Sequence, residues 1–250
     1  MTRRVRILLF VLPAVGGASM LVWSFFHLPA FGHYRGPYGD VINANATKER
    51  HATSAVTPVV FDYRGVDTIG EELILFAAVM GVTVLLRRQR EEEEASPRDR
   101  VEGRRLRRTS GTVRLVALGL IPSTVLLGLY VVAHGQLTPG GGFQGGTVLA
   151  AAPILIYLAG RYVAYRRLNP VELLDVGEGT GTGGFVFLGF VGLLAGSAFL
   201  QNVLPLGTAG SLFSAGTMPV ANIAVGLAVA AGLVLIVYEF LEQALMIRPH

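Results

Sequence analysis

The sequence predicts an all-α integral membrane protein of about six transmembrane helices, arranged as two spans followed by four, with both termini cytoplasmic. Three observations predict it. Of the 250 residues, 52% are hydrophobic and only 15% charged, and the mean hydropathy of +0.53 is too high for a soluble domain of this length. Six apolar runs, at 5–26, 68–86, 113–133, 147–163, 185–200 and 220–241, approach the ~20 residues that cross a bilayer. With the N-terminus inside, 17 of the 21 Lys and Arg residues fall on inner segments, the bias that sets orientation. The basic balance of the chain therefore reports topology, and no basic groove interleaved with aromatics points to nucleic acid. The absence of cysteine excludes disulfides, a Cys-ligated iron-sulfur cluster and a thiolate zinc site on this chain.

The first run follows Arg3, Arg4 and Arg6 and continues through Trp23, Phe25 and Phe26. It outlasts the ~7 to 15 apolar residues of a cleaved signal, and its aromatics suit an interfacial belt, so it reads as an anchor. A long outer loop, 27–67, separates it from the second run. His27, His33 and His51 in that loop lack ligand spacing, and neither a metal site nor a cofactor is predicted.

The second run opens on D-T-I-G-E-E, and its two carboxylates admit two readings. Thr68 and Glu71 have the spacing of a helix capping box, where acidic groups are favoured. A carboxylate at the bilayer centre costs at least ~2.5 kcal/mol, so one retained there also reads as an ion-pathway group. Glu72 is not needed for the cap and faces another side of the helix.

Residues 1–88 thus form a two-span module, and 89–111 a charged cytosolic linker holding Glu91 to Glu94, Pro97 and an Arg-rich tail. Residues 112–250 form a four-span module. Pro122 inside its first span is expected to kink that helix and free a carbonyl.

The least generic stretch follows that span, H-G-Q-L-T-P-G-G-G-F-Q-G-G at 134–146. The five glycines that follow Pro139, namely Gly140, Gly141, Gly142, Gly145 and Gly146, let the backbone adopt left-handed conformations and approach neighbours closely. At membrane depth such backbone must be buried in protein or line a water-filled cavity; the plainer reading is a tight turn. His134, with a pKa near neutrality when unperturbed, is either a proton relay at this boundary or a hydrogen-bonded turn residue.

Residues 177–184 are glycine-rich but lack a phosphate-loop lysine, and read as a flexible inner loop. Gly192 and Gly196 have the spacing of a close helix-packing pair in the fifth span. The outer loop 202–217 then leads to the last span. There Glu239 and Glu242 share a face at i and i+3, either as a carboxylate pair for a proton or hydrated cation, or as interfacial groups near Arg248. No nucleophile and base pair at recognisable spacing, so an enzyme is not predicted.

Residues 130–146, Y-V-V-A-H-G-Q-L-T-P-G-G-G-F-Q-G-G, with N-V-L-P-L-G from Asn202 and L-F-S-A-G-T from Leu212, resemble the B subunit of Mrp-type multisubunit sodium/proton antiporters. The run F-D-Y-R-G-V-D-T-I-G-E from Phe61 resembles the E-type membrane subunit of energy-converting hydrogenases, which is also the C-terminal extension of the large antiporter A subunit. The resemblance implies a membrane subunit of a hetero-oligomeric complex in a prokaryotic plasma membrane, with other antiporter subunits as partners and Na+ and H+ as transported ions. It implies an ion-translocation role for Glu71 and makes Phe143 a plug or packing knob beside a cavity. Ser54, Ala55 and Val56 stand where the family has an Asn-containing segment. The equivalent subunit of a redox-driven complex and an assembly scaffold without ion contact are the alternatives.

Overall fold

A computed structural model describes residues 3–28, 36–86 and 109–246. Residues 89–108 of the charged linker, together with Arg248, lie outside these. Regular structure among the described residues is entirely helical: α1 (Arg3–Phe26), α2 (Pro37–Arg50), α3 (Val56–Pro58), a π-helical turn (Val59–Tyr63), α4 (Gly65–Leu86), α5 (Gly111–Ala133), α6 (Gly142–Leu168), α7 (Val171–Leu194) and α8 (Met218–Met246).

The chain divides into two compact units, Met1–Asp40 and Val41–His250. The first contains α1, whose side chains from Val11 to Phe26 are exposed. Val11–Phe26 is an apolar helical stretch within it.

In the second unit α8 is the hub. More than half of its spanning segment is buried, against less than a quarter for the segments of α4, α5 and α6. Small residues explain this: Ala221, Val225, Ala228, Val229 and Ala231 let neighbours approach on several sides, and α4, α6 and α7 all pack there while α5 packs on α6. The approach of α5 to α6 is close enough that a Cβ on Gly145 would stand 2.7 Å from Val132 N and 2.8 Å from Gly128 O. Phe61 of the π-helical turn meets Phe185 of α7 edge-on at 5.6 Å, inside the same apolar cluster as Val225 and Val229.

Among the described residues, four helices are long and apolar enough to cross a membrane: Gly65–Leu86, Gly111–Ala133, Gly142–Leu168 and Met218–Leu245. Within the expected outer loop 27–67 the described residues form α2, α3 and the π-helical turn, with Arg50 of α2 ion-paired to Asp62 at 2.5 Å. The structure corrects the sequence reading at three places. Thr68 does not cap α4, which starts three residues earlier; its hydroxyl donates to Val60 O at 2.5 Å, so no capping box forms. The expected inner loop 177–184 is helical, within α7. Its glycines are poor helix formers in isolation, but Gly177 and Gly181 face Ala231 and Ala228 of α8, and that packing outweighs their propensity. The expected Gly192/Gly196 helix-packing pair is not made, because α7 ends at Leu194 and Gly192 instead sits against Ala198 O of the following turn.

Candidate functional site

The glycine-rich stretch is half turn and half helix. His134 closes α5, its backbone N–H donating to Tyr130 O at 3.0 Å and its ring stacked on Tyr130 at 4.2 Å. The chain then turns through Gly140 and Gly141, whose φ values of 153° and 139° are left-handed conformations that a side chain would strain. At Gly142 α6 begins. Its N–H, which has no partner within the helix, donates to Asn222 Oδ1 of α8 at 2.8 Å. A Cβ on Gly142 would meet Asn222 O at 2.7 Å, so the cap and the close approach depend on each other.

The segment before α4 docks onto this turn. Ser54 N donates to Gln136 O at 3.2 Å, Thr53 Oγ1 to Leu137 O at 2.7 Å and Thr57 Oγ1 to Gly135 O at 2.5 Å. Gln136, fully buried, holds the opposite side by donating to Leu212 O at 2.7 Å. Ser54, Ala55 and Val56 therefore lie directly against the glycine turn.

Between these elements is a cavity of about 260 Å³. Its walls are Val56, Thr57, Val60 and Phe61 on one side, Gly140 through Gln144 on another, with Glu71 and Asn222 completing it. Glu71 and Phe143, read from sequence, thus meet Gly140, Gly141 and Gly142. Asn222 was not legible from sequence; its Nδ2 has no hydrogen-bond partner among the described residues. A carboxylate, an amide and backbone groups around a space that admits several waters can hold a hydrated monovalent cation or pass a proton.

The other sequence-derived candidates lie elsewhere. Gly145 and Gly146 serve the packing of α6 on α5 and α8, Pro139 is exposed in the turn, and His134 lies at the turn's start, outside the cavity wall. Glu72 points away from the cavity, is 1% exposed, and receives Thr182 Oγ1 of α7 at 3.5 Å. Near it is a carboxylate the sequence reading passed over, Glu178 of α7, 5% exposed, whose Oε1 would lie 3.4 Å from a Cβ on Gly232 of α8. Glu242 is buried among tyrosines and accepts from Tyr162 OH at 3.2 Å and Tyr238 OH at 3.5 Å, with Glu239 half-buried on the preceding turn. Asn222 and Glu242 are separated by 20 residues of α8, about 30 Å, so the two ends of the bundle carry different polar groups.

Residues 112–235 match the family model described as a domain related to the MnhB subunit of Na+/H+ antiporter. An uncharacterized protein of Methanocaldococcus jannaschii is 32% identical over 71% of this chain and 73% of its own length. A probable K(+)/H(+) antiporter A/B subunit of Rhizobium meliloti is 26% identical over 74% of this chain, which spans only 20% of that larger protein. Among solved structures, a chain of the membrane-bound sulfane sulfur reductase, an archaeal respiratory membrane complex, superposes with a TM-score of 0.70 at 32% identity, covering 95% of this chain and 99% of that one. A chain of the Mrp complex from Dietzia sp. shares the fold with a TM-score of 0.66 at 24% identity, over 97% of this chain and 26% of that one.

Proposed function

The chain belongs to the family of the MnhB subunit of Na+/H+ antiporters, and from that premise we propose that it is a membrane subunit of a multisubunit cation/proton antiporter, where it helps form the ion pathway and assemble the complex. The observation that carries this reading is the cavity in which Glu71 faces the glycine turn and Asn222. It joins residues of the first and second sequence modules in one polar space at one end of an apolar bundle, as a pathway entrance requires. Transport by this chain alone is not expected, since its buried carboxylates are few and its exposed faces are apolar. The chain serves transport and catalyses no covalent chemistry.

The finer topology is part of the proposal. Six spans are reached if α1 and α7 cross alongside the four apolar helices, with both termini cytoplasmic in a prokaryotic plasma membrane. Residues 1–88 act as the counterpart of the A-type extension and 112–250 as the B-type portion. Support for the fusion comes from the Rhizobium relative, an A/B-type protein whose match takes in more of the chain than 112–235.

A second reading has its own support. The chain matches nearly the full length of one component of the sulfane sulfur reductase, so it also suits a redox-driven complex whose chemistry lies on partner subunits. Affinity purification of the tagged full-length chain from native membranes, with mass spectrometry of co-eluting proteins, separates the two. Antiporter-like subunits without redox partners are the expected result; metal-cluster subunits would transfer the assignment to the redox-driven complex, and a chain eluting alone would overturn both.

A further inference from the structure

Midway along α8 the bundle encloses two carboxylates that the cavity does not use. Glu72 and Glu178 are 1% and 5% exposed, and Oε1 of each has no hydrogen-bond partner among the described residues. Thr182 Oγ1 reaches only Glu72 Oε2, at 3.5 Å.

The two occupy one seam. A Cβ on Gly232 would lie 3.4 Å from Glu178 Oε1, 3.1 Å from Val79 Cγ2 and 3.7 Å from Leu75 Cγ, which places the Glu178 carboxyl among α8, Leu75 and Val79. Leu75 and Val79 follow Glu72 at i+3 and i+7, on the same face of α4. Gly232 is ten residues from both Asn222 and Glu242, about 15 Å from each, so the Glu178 carboxyl beside it lies at the middle of α8.

The charged groups facing this seam are themselves acidic. Glu71 from α4 and Glu178 from α7 act on Glu72, and Asp175 from α7 acts on Glu178. Between Met218 and Glu239, α8 carries no charged residue at all. Two ionised carboxylates in such a place would each lose hydration worth several kcal/mol and repel one another. One bound proton removes one charge and supplies an O–H donor for an acceptor that now lacks one.

We propose that Glu72 and Glu178 together form a proton-binding site at mid-membrane depth, holding one proton that exchanges with the Glu71 cavity. As a transport element the site rests on the antiporter-subunit reading; as a binding site it stands on the packing of α4, α7 and α8.

The test is infrared difference spectroscopy on the purified native complex at neutral pH, wild type minus variant, in H2O and D2O. A protonated-carboxyl C=O band that shifts in D2O is expected in wild type, retained in Glu71→Gln, displaced in Thr182→Val and lost in the E72Q/E178Q double variant. If the double variant does not assemble, Glu178→Gln alone must alter the band. A wild-type-minus-variant spectrum with no such band, for the double variant or for Glu178→Gln, overturns the proposal. The band does not depend on transport, so a complex that keeps it yet exchanges no ions contradicts the antiporter reading and leaves this site standing.

Discussion

Asn222 shows how much one side chain decides. It is fully buried on α8, and its Oδ1 is the acceptor that receives the first N–H of α6 at 2.8 Å. Asn222→Ala leaves that donor without a partner beside the cavity, and the expected loss of stability is about 1–3 kcal/mol, read as a lower thermal midpoint of the purified complex. An unchanged midpoint would mean that water replaces the cap at no cost. The role was not legible because Asn222 and Gly142 are 80 residues apart and neither belongs to a local capping pattern. Glu71 was legible, since a carboxylate at the edge of an apolar run is conspicuous, but the helix-cap role was not realised: α4 begins at Gly65 and Thr68 turns its hydroxyl to Val60. Glu178 was missed because its glycine neighbours suggested a loop. The usable signal was spacing, for Gly177 and Gly181 lie four apart and flank it on the face that meets α8.

At the scale of elements, glycines divide by what lies opposite them. Gly145→Ala puts a methyl group 2.7 Å from a backbone nitrogen of α5, which no rotamer change relieves, so α5 and α6 must separate at a cost of about 1–3 kcal/mol. Gly119 of α5 has nothing within 4 Å, and Gly119→Ala is expected to be neutral or stabilising by up to ~1 kcal/mol. Parallel thermal unfolding of the two variants checks the pair, and equal destabilisation would refute the close-packing account of the glycine motif. The limits of α5 were readable almost to the residue: the apolar run 113–133 ends with the helix at the glycine turn, and the helix starts only two residues before the run, behind Ser110, whose Oγ accepts from Val113 N. Those of α7 were not. Hydropathy treats Glu178 and the glycines around it as breaks in an apolar span, whereas burial against α8 makes them interior positions.

For the whole molecule, composition and apolar runs were enough to read an all-helical, multi-pass membrane protein, because lipid leaves few other ways to satisfy a backbone. The cavity was beyond that reading. Its walls come from residues 56–71, 140–144 and 222, brought together by the docking of Thr53, Ser54 and Thr57 on the glycine turn and by α8 running through the centre of the bundle. Sequence could name Glu71, the glycines and Phe143 separately, but nothing local to any of them states that they share a space. The account's central claim is that this shared space lies on the route of the exchanged ions. The most direct measurement is sodium-dependent proton movement in proteoliposomes holding the complex purified through this chain, comparing wild type with Glu71→Gln at equal subunit content. The expected result is a loss of exchange rate of about tenfold or more, equivalent to ~1.4 kcal/mol or more on the barrier. A fully assembled Glu71→Gln complex that exchanges ions at the wild-type rate would contradict it.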